Sequence, residues 1–430
     1  MSKKLDISLC NNYLCAFMKT IHLIVVCLIF FVSCKNQENS TFRTNIIDIE
    51  DGLQNLTTIK TSDFGKTIRY IPLETTDGSL VGNNPIFKVL RDYIVVEFRS
   101  PGSCLLFDKK DGHFIAKIGN IGQGPNEYSD IFSWTDEKEE FLYFKRAPGQ
   151  LLKFDMQGNF CGNMAFSTPP GLADYYLLTD SGGIGYFNAI GQRQLFSLGF
   201  FAKEGNLIDS IPLLYPKNQI DASQIESISV LREYTIYGNW GKVGLIMIDY
   251  KNDTREILAA NIARLWKNNG NIRFKEDYVD TLYTVSGSKL VPSIIFNTGK
   301  YHWPVEEITS KKNTNERIII TDVSENDNFV FFQCIKGLYS DEPILYNGLY
   351  NKKTGETKIG NFSNAIEDDL THFMPFAPFG MGTSGEFISF VEAYKIMEWL
   401  EKHPEAKDNE DLAFLKQLDE EGNPVVILIE

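Results

Sequence analysis

Short apolar stretches separated by polar turns run along most of this chain, and strong helical periodicity is absent until its C-terminal region. One pattern recurs: an apolar or aromatic strand, a polar turn usually holding glycine, and a second strand. It reads LLFDKKDGHFIAKIG at 105–119, LLKFDMQGNFCGNM at 151–164 and LGFFAKEGNLIDSI at 198–211. It returns as LIMIDYKNDTREIL at 245–258, TLYTVSGSKLVPSIIF at 281–296 and GLYNKKTGETKIG at 348–360. Glycine in most of these turns supplies the positive φ that a tight hairpin demands. The turn glycines Gly112, Gly158 and Gly205 are spaced by 46 and 47 residues, close to the roughly 40–50 residues of a four-stranded propeller blade. Later spacings are uneven, 82 residues from Gly205 to Gly287 and 68 from there to Gly355. The first of these gaps has room for an extra blade around 245–258, or for one blade with an insertion.

The segment 386–418 begins strand-like and then reads as helix, with apolar positions at Ile396, Leu400, Leu412 and Leu415. The chain closes on the apolar strand PVVILIE (424–430), and KTIRYIPLETT (66–76) is a strand outside the hairpin series. A terminal strand survives only when paired. Joining these two in one composite blade closes a ring and removes both open edges. The expected fold is therefore all-β: a six-bladed propeller over 66–430, with seven blades as the alternative and a small helical insertion near the C-terminus.

The other end reads differently. From Met18 the sequence is MKTIHLIVVCLIFFVSC, a basic residue followed by an apolar run from Ile21 to Val32. That run falls short of the about 20 apolar residues that span a bilayer and fits the core of a secretory signal. Its end, Phe31-Val32-Ser33-Cys34 before polar KNQENS, resembles a bacterial lipobox, although that pattern prefers leucine at the position of Phe31. The resemblance implies that Cys34 is acylated and becomes the mature N-terminus. The expected organisation is an N-terminal extension and signal over 1–33, a lipidated tether over 34–65, then the propeller. Two or three acyl chains anchor firmly where one binds marginally, so the expected location is the cell envelope, on the outer membrane.

A lipobox, a strand of the IPLETT kind and then FDKKDGHFIAKIGNIGQGPNEY resemble the six-bladed β-propeller lipoproteins of Bacteroides-type bacteria. The matching positions are Gly119, Gly122, Gly124, Pro125, Glu127 and Tyr128, together with Asp280 to Phe296 and Gly422 to Ile429. The resemblance covers essentially the whole mature chain. It implies the fold strongly and the function hardly at all, because fold does not give function.

Glycine-rich KIGNIGQGPNEYSD (117–130) invites a phosphate-loop reading, yet no helix follows it and no Gly-Lys-Ser/Thr is present. It suits the link from one blade's outermost strand to the next blade's innermost strand, where glycines permit the path and Pro125 stiffens it. Gln123, Asn126, Glu127 and Tyr128 then become candidates for contacting a partner, and Glu127 and Tyr128 equally for locking blades together. His113 and His403 read as solvent-facing, and neither H-x-x-H nor G-x-S-x-G occurs. The acids of 325–328 and 367–369 read as loop acids, and Trp134, Trp240, Trp266 and Trp303 chiefly as packing. Cys104, Cys161 and Cys334 form no metal or disulfide pattern and read as small buried hydrophobes. A net charge of −14 without basic runs excludes nucleic acid.

No catalytic residue, metal ligand or cofactor is assigned. The favoured function is a non-catalytic envelope scaffold that binds a protein, peptide or glycan on its loop-rich face. The alternative is a lactonase-like or lyase-like metal enzyme with its site at the central channel. A third reading is a structural partner in an outer-membrane uptake complex.

Overall fold

The computed structural model describes residues 44–430, apart from 167–171, 188–195, 215–221, 235–239, 260–264, 277, 305–306, 308–314, 339 and 341. The signal segment and Cys34 lie outside the described residues. Six sheets form the blades of a ring. Blade 1 runs Ile86–Val89, Tyr93–Phe98, Ser103–Asp108, Phe114–Lys117, from the innermost strand to the outermost. Blade 2 runs Ser133–Thr135, Phe141–Arg146, Gln150–Asp155, Phe160–Ala165, and blade 3 runs Tyr175–Thr179, Gly182–Tyr186, Leu198–Ala202, Leu207–Ile211. Blade 4 runs Leu265–Asn268, Asn271–Lys275, Thr281–Ser286, Lys289–Asn297, and blade 5 runs Ile318–Glu325, Phe329–Lys336, Ile344–Asn351, Thr357–Asn361. Blade 6 joins the chain's two ends: Gly380–Met381, Phe387–Val391 and Val425–Ile429, with Ile68–Pro72 antiparallel on the outside.

The core decides the blade number, because it is a closed series of six apolar seams. Phe87, Val96 and Phe107 pack on Phe390 and Leu428 between blades 6 and 1. Leu106 and Tyr128 meet Phe144 and Phe154 between blades 1 and 2, and Trp134 and Leu151 meet Tyr176 and Phe201 between blades 2 and 3. Tyr186 and Leu198 of blade 3 pack directly on Leu265 and Phe274 of blade 4. Blades 4 and 5 share Ile294, Phe296 and Phe332, and blades 5 and 6 share Phe331, Leu349, Phe387 and Ile427. The three-stranded sheet Ile225–Tyr234, Trp240–Tyr250, Arg255–Ala259 is therefore an insertion between blades 3 and 4, and the seven-bladed alternative is excluded. Five of the six repeated hairpins are the outer pairs of blades 1 to 5; the sixth, at 245–258, belongs to this inserted sheet.

Turn glycines explain the regular spacing twice over. Gly112, Gly158, Gly205 and Gly355 all sit at φ between 76° and 84°, where a Cβ is unfavourable. Three of them also press on the outermost strand of the preceding blade. A Cβ on Gly112, Gly158 or Gly205 would stand 2.1, 2.8 or 1.9 Å from the carbonyl oxygens of Pro72, Lys117 or Ala165.

The stretch 44–65, expected as tether, is folded against the ring. Asn45–Asp48 adds a parallel fifth strand to blade 4, and the helix Ile49–Gln54 is capped by Asp48. Thr57 N–H bonds to Ile359 of blade 5, and Ile59 enters the seam between blades 5 and 6. This belt buries Ile47, Ile49, Ile59 and Phe64, which gives it an apolar anchor on each of three blades.

Strand direction sorts the connections between two faces. The turns between first and second strands in all six blades, and between third and fourth in blades 1 to 5, are short hairpins on one face. There, first-turn neighbours hold one another: Asn326 Nδ2 donates to Gly385 O (3.1 Å) and Arg91 N to Glu139 (2.6 Å), while Lys138 pairs with Asp180 (2.7 Å). All the long connections emerge on the opposite face: 73–85, 118–132, 212–264 with its sheet, 298–317, 362–379 and 392–424. The last carries the expected helical insertion, with Ala393–Leu400 burying Ile396 and Leu400 and a following 3-10 segment burying Leu412 and Leu415.

Candidate functional site

The loop 118–132 links the outermost strand of blade 1 to the innermost strand of blade 2. Tyr128 is fully buried within it; its hydroxyl donates to Ile118 O at 2.9 Å and its ring stacks on Phe144 at 4.2 Å. A Cβ on Gly119 would lie 2.8 Å from that ring. Half-buried Glu127 folds back on its own loop and accepts from Gly124 N at 2.6 Å. Side chains at Gly122 and Gly124 would collide with its carboxylate, at 2.1 and 2.9 Å. Arg146 of blade 2 donates to the carbonyls of Gly124 and Pro125. The glycines thus make room for an internal carboxylate and an aromatic ring. Of the four nominated residues, Gln123 and Asn126 are exposed, Glu127 is turned inward and Tyr128 lies in the core.

The IPLETT and Gly-Asn-Pro stretches meet at the closure of the ring. Buried Asn423 accepts from Val81 N (2.9 Å) and donates to Glu74 O (2.7 Å) and Ser79 O (2.8 Å), satisfying its whole amide. Its backbone N–H bonds to Thr75 Oγ1 (2.9 Å), and Glu74 accepts from Phe114 N (2.7 Å) of blade 1. Burying so many polar groups is tolerable because each is paired.

Buried charges, too, belong to seams. Lys88 and Ser133 meet Glu97 between blades 1 and 2, with Lys88 Nζ 2.7 Å from Glu97. Glu276 accepts from Tyr186 (2.7 Å) and Ser197 (2.8 Å) between blades 3 and 4. Arg273 forks onto Glu325 at 2.8 and 2.6 Å between blades 4 and 5, and Lys352 adds a third contact at 2.6 Å. Burial raises the Glu325 carboxyl pKa, but the Arg273 hydrogen bonds and the Lys352 and Arg273 charges outweigh it and hold the value below normal. Lys109 pairs with Glu386 between blades 1 and 6. Two sequence readings are corrected here: Glu325 and Asp368, read as loop acids, are buried. Asp368 receives Tyr70 Oη (3.0 Å) and the backbone N–H groups of Leu370, Thr371 and Phe373. Arg273 and Tyr70 come from distant chain segments, whereas the backbone donors to Asp368 lie within five residues of it; no short motif announces the burial of either acid.

His113 is exposed beside Glu74, whereas His403 is half-buried, stacked on Trp399 at 4.6 Å. Trp134 and Trp303 are core residues, and Trp266 is half-buried in the seam of blades 4 and 5. Trp240 lies among side chains outside the description. Cys104 and Cys334 are buried, and burial pushes the Cys334 thiol up to about 12. Cys161 corrects the third cysteine reading: it sits exposed on blade 2's outermost strand. Among the described residues no three His, Cys, Asp or Glu side chains stand close enough to hold a metal ion. No helix among them is long and apolar enough to cross a membrane.

The exposed tip of 118–132 lies on the face of long connections. Against protein-family models, residues 44–430 match the family described as Domain of unknown function (DUF4934). The chain belongs to this family. DUF4934 thus spans the belt and all six blades together. No curated protein matches the chain in sequence. Among solved structures, a Bacteroides fragilis protein described as exported is similar at 15% identity with a TM-score of 0.60, over 90% of this chain and 99% of that one. At that identity the likeness shows the propeller fold alone. The structure of U3-55K is similar at 9% identity with a TM-score of 0.36, over 84% of this chain and 98% of that one. So low a score carries no argument.

Proposed function

We propose that this DUF4934 member is a lipoprotein of the cell envelope, anchored through acylated Cys34, whose propeller is a non-catalytic scaffold. It binds a protein, peptide or glycan on the face of long connections. The segregation of those connections to one face carries the reading. Turns on the opposite face hold neighbouring blades together, and Glu276 and Glu325 are engaged within seams. Glu97 and Glu386 each pair through one carboxylate oxygen and keep the other buried without a hydrogen-bond partner among the described residues. The leader sequence ending at Cys34 supports export, as does the likeness to a protein described as exported.

Two experiments test it. Cys34→Ser should move the protein from the membrane fraction to the soluble one; unchanged fractionation refutes the anchor. Thermal unfolding of the purified propeller with Ca²⁺, Zn²⁺ or Mn²⁺ separates scaffold from metal enzyme, since a ligand that binds only the folded state raises its midpoint. The scaffold reading expects no shift, and a saturable shift with one ion favours the enzyme.

A further inference from the structure

Three loop segments on the long-connection face contain no charged residue: GSLVGNNP (78–85), SPG (100–102) and IGNIGQGPN (118–126). In a chain that is 23% charged with a net charge of −14, that is a local depletion. The structure places the three side by side over blade 1. Asn83 forms a backbone bridge with Ser100, and a Cβ on Gly102 would lie 2.9 Å from Ile121 Cδ1. Leu80 and Ile121 are 54% and 44% exposed at this surface, with Pro101, Gln123 and Asn126 exposed around them. At its edge Arg99 covers the Phe132 ring at 4.9 Å and reaches Asp130 at 4.0 Å.

We infer that this neutral surface over blade 1 is the docking site for a protein partner whose own contact surface is uncharged. The inference rests on the scaffold reading and narrows it. Depletion of Lys, Glu and Asp, with apolar tips inside a polar rim, marks the centre of a protein–protein contact. In a body of net charge −14, a patch whose own segments are uncharged and whose edge carries the Arg99–Asp130 pair is where another protein approaches with little electrostatic cost. Branched aliphatic tips present no flat ring on which a sugar stacks, and the three segments hold no aromatic residue. Gln123 and Asn126 contribute amides that pair with a partner's backbone.

The test uses the full anchored protein in its native envelope. The photo-cross-linker benzoylphenylalanine is placed at position 101 or 121, and at two exposed controls. The controls are Ile344, on the same face at blade 5, and Phe160, on blade 2's outermost strand. The expected result is one protein captured from 101 and 121 and from neither control. That protein, purified and titrated against the propeller, should bind with an affinity that changes less than about threefold between low and high salt. Leu80→Asp and Ile121→Asp should each weaken it by about tenfold or more, with unfolding midpoints unchanged because both side chains are exposed. Capture from 344 but not from 101 or 121 overturns the docking site and leaves the scaffold reading standing. No capture from any position overturns both. A covalent adduct with glycan, a cross-link to a second copy of this chain, or binding abolished by salt each overturns the inference.

Discussion

Alanine at four of the outer-hairpin glycines is a controlled experiment on blade packing. Gly112, Gly158, Gly205 and Gly355 share one turn conformation, with φ of 79°, 84°, 81° and 76°. Each substitution therefore carries the same backbone penalty, about 1–2 kcal/mol for an L-residue in the left-handed region. They differ in what the new methyl meets. At Gly355 nothing lies within 4 Å, so the backbone term is the whole effect. At Gly158 the Lys117 carbonyl is 2.8 Å away, and at Gly205 the Ala165 carbonyl is 1.9 Å away. Ordinary contact begins at 3.4 Å, so the seam must recede by about 0.6 Å in the first case and about 1.5 Å in the second. Overpacking of this kind costs about 1–3 kcal/mol more. The expected order of destabilisation is Gly355→Ala, then Gly158→Ala, then Gly112→Ala and Gly205→Ala, the last two at about 2–5 kcal/mol. Urea unfolding read as midpoint shifts at constant slope measures this. If Gly355→Ala destabilises as much as Gly205→Ala, the seam contact contributes nothing and the spacing reflects turn chemistry alone.

Other outcomes follow from the same geometry. Asn423→Ala leaves Val81 N–H and two carbonyls without partners at the ring closure and should cost about 2–4 kcal/mol in the same unfolding assay. Glu325 has a folded-state pKa below the ordinary value of about 4.3, so its contribution is present above that value and is lost as pH falls through the folded pKa. A titration of unfolding midpoints should thus show a decline below about pH 4 that Glu325→Gln flattens while lowering stability at pH 7. A thiol reagent should label Cys161 at once in the folded protein, and Cys104 and Cys334 only after unfolding; rapid labelling of three thiols would contradict their burial.

The blades were legible because each outer hairpin is a local object. Strand, turn glycine and strand lie within about fifteen residues of one another, and alternation with a positive-φ turn suffices to specify such a unit. The belt 44–65 was not legible for the opposite reason. Asn45–Asp48 is four residues whose pattern means nothing without the Lys289–Asn297 edge that receives it. Tyr128 and Glu127 stood out as a motif, but whether a motif residue points outward or inward depends on packing partners such as Phe144, contributed by another blade.

The sequence by itself determined the all-β class, the repeat, the acidic balance and the expectation of an acylated Cys34, because composition and short-range periodicity act within a few residues. Only the tertiary structure decided that the ring has six blades, since the question is whether Tyr186 and Phe274 touch across the inserted sheet's point of departure. It likewise decided that Glu97, Glu276, Glu325 and Glu386 are buried; apart from the Lys88–Glu97 pair within one hairpin, their contacts span tens to hundreds of residues. Desolvation and pairing are properties of the assembled seam, and no stretch of chain carries them alone.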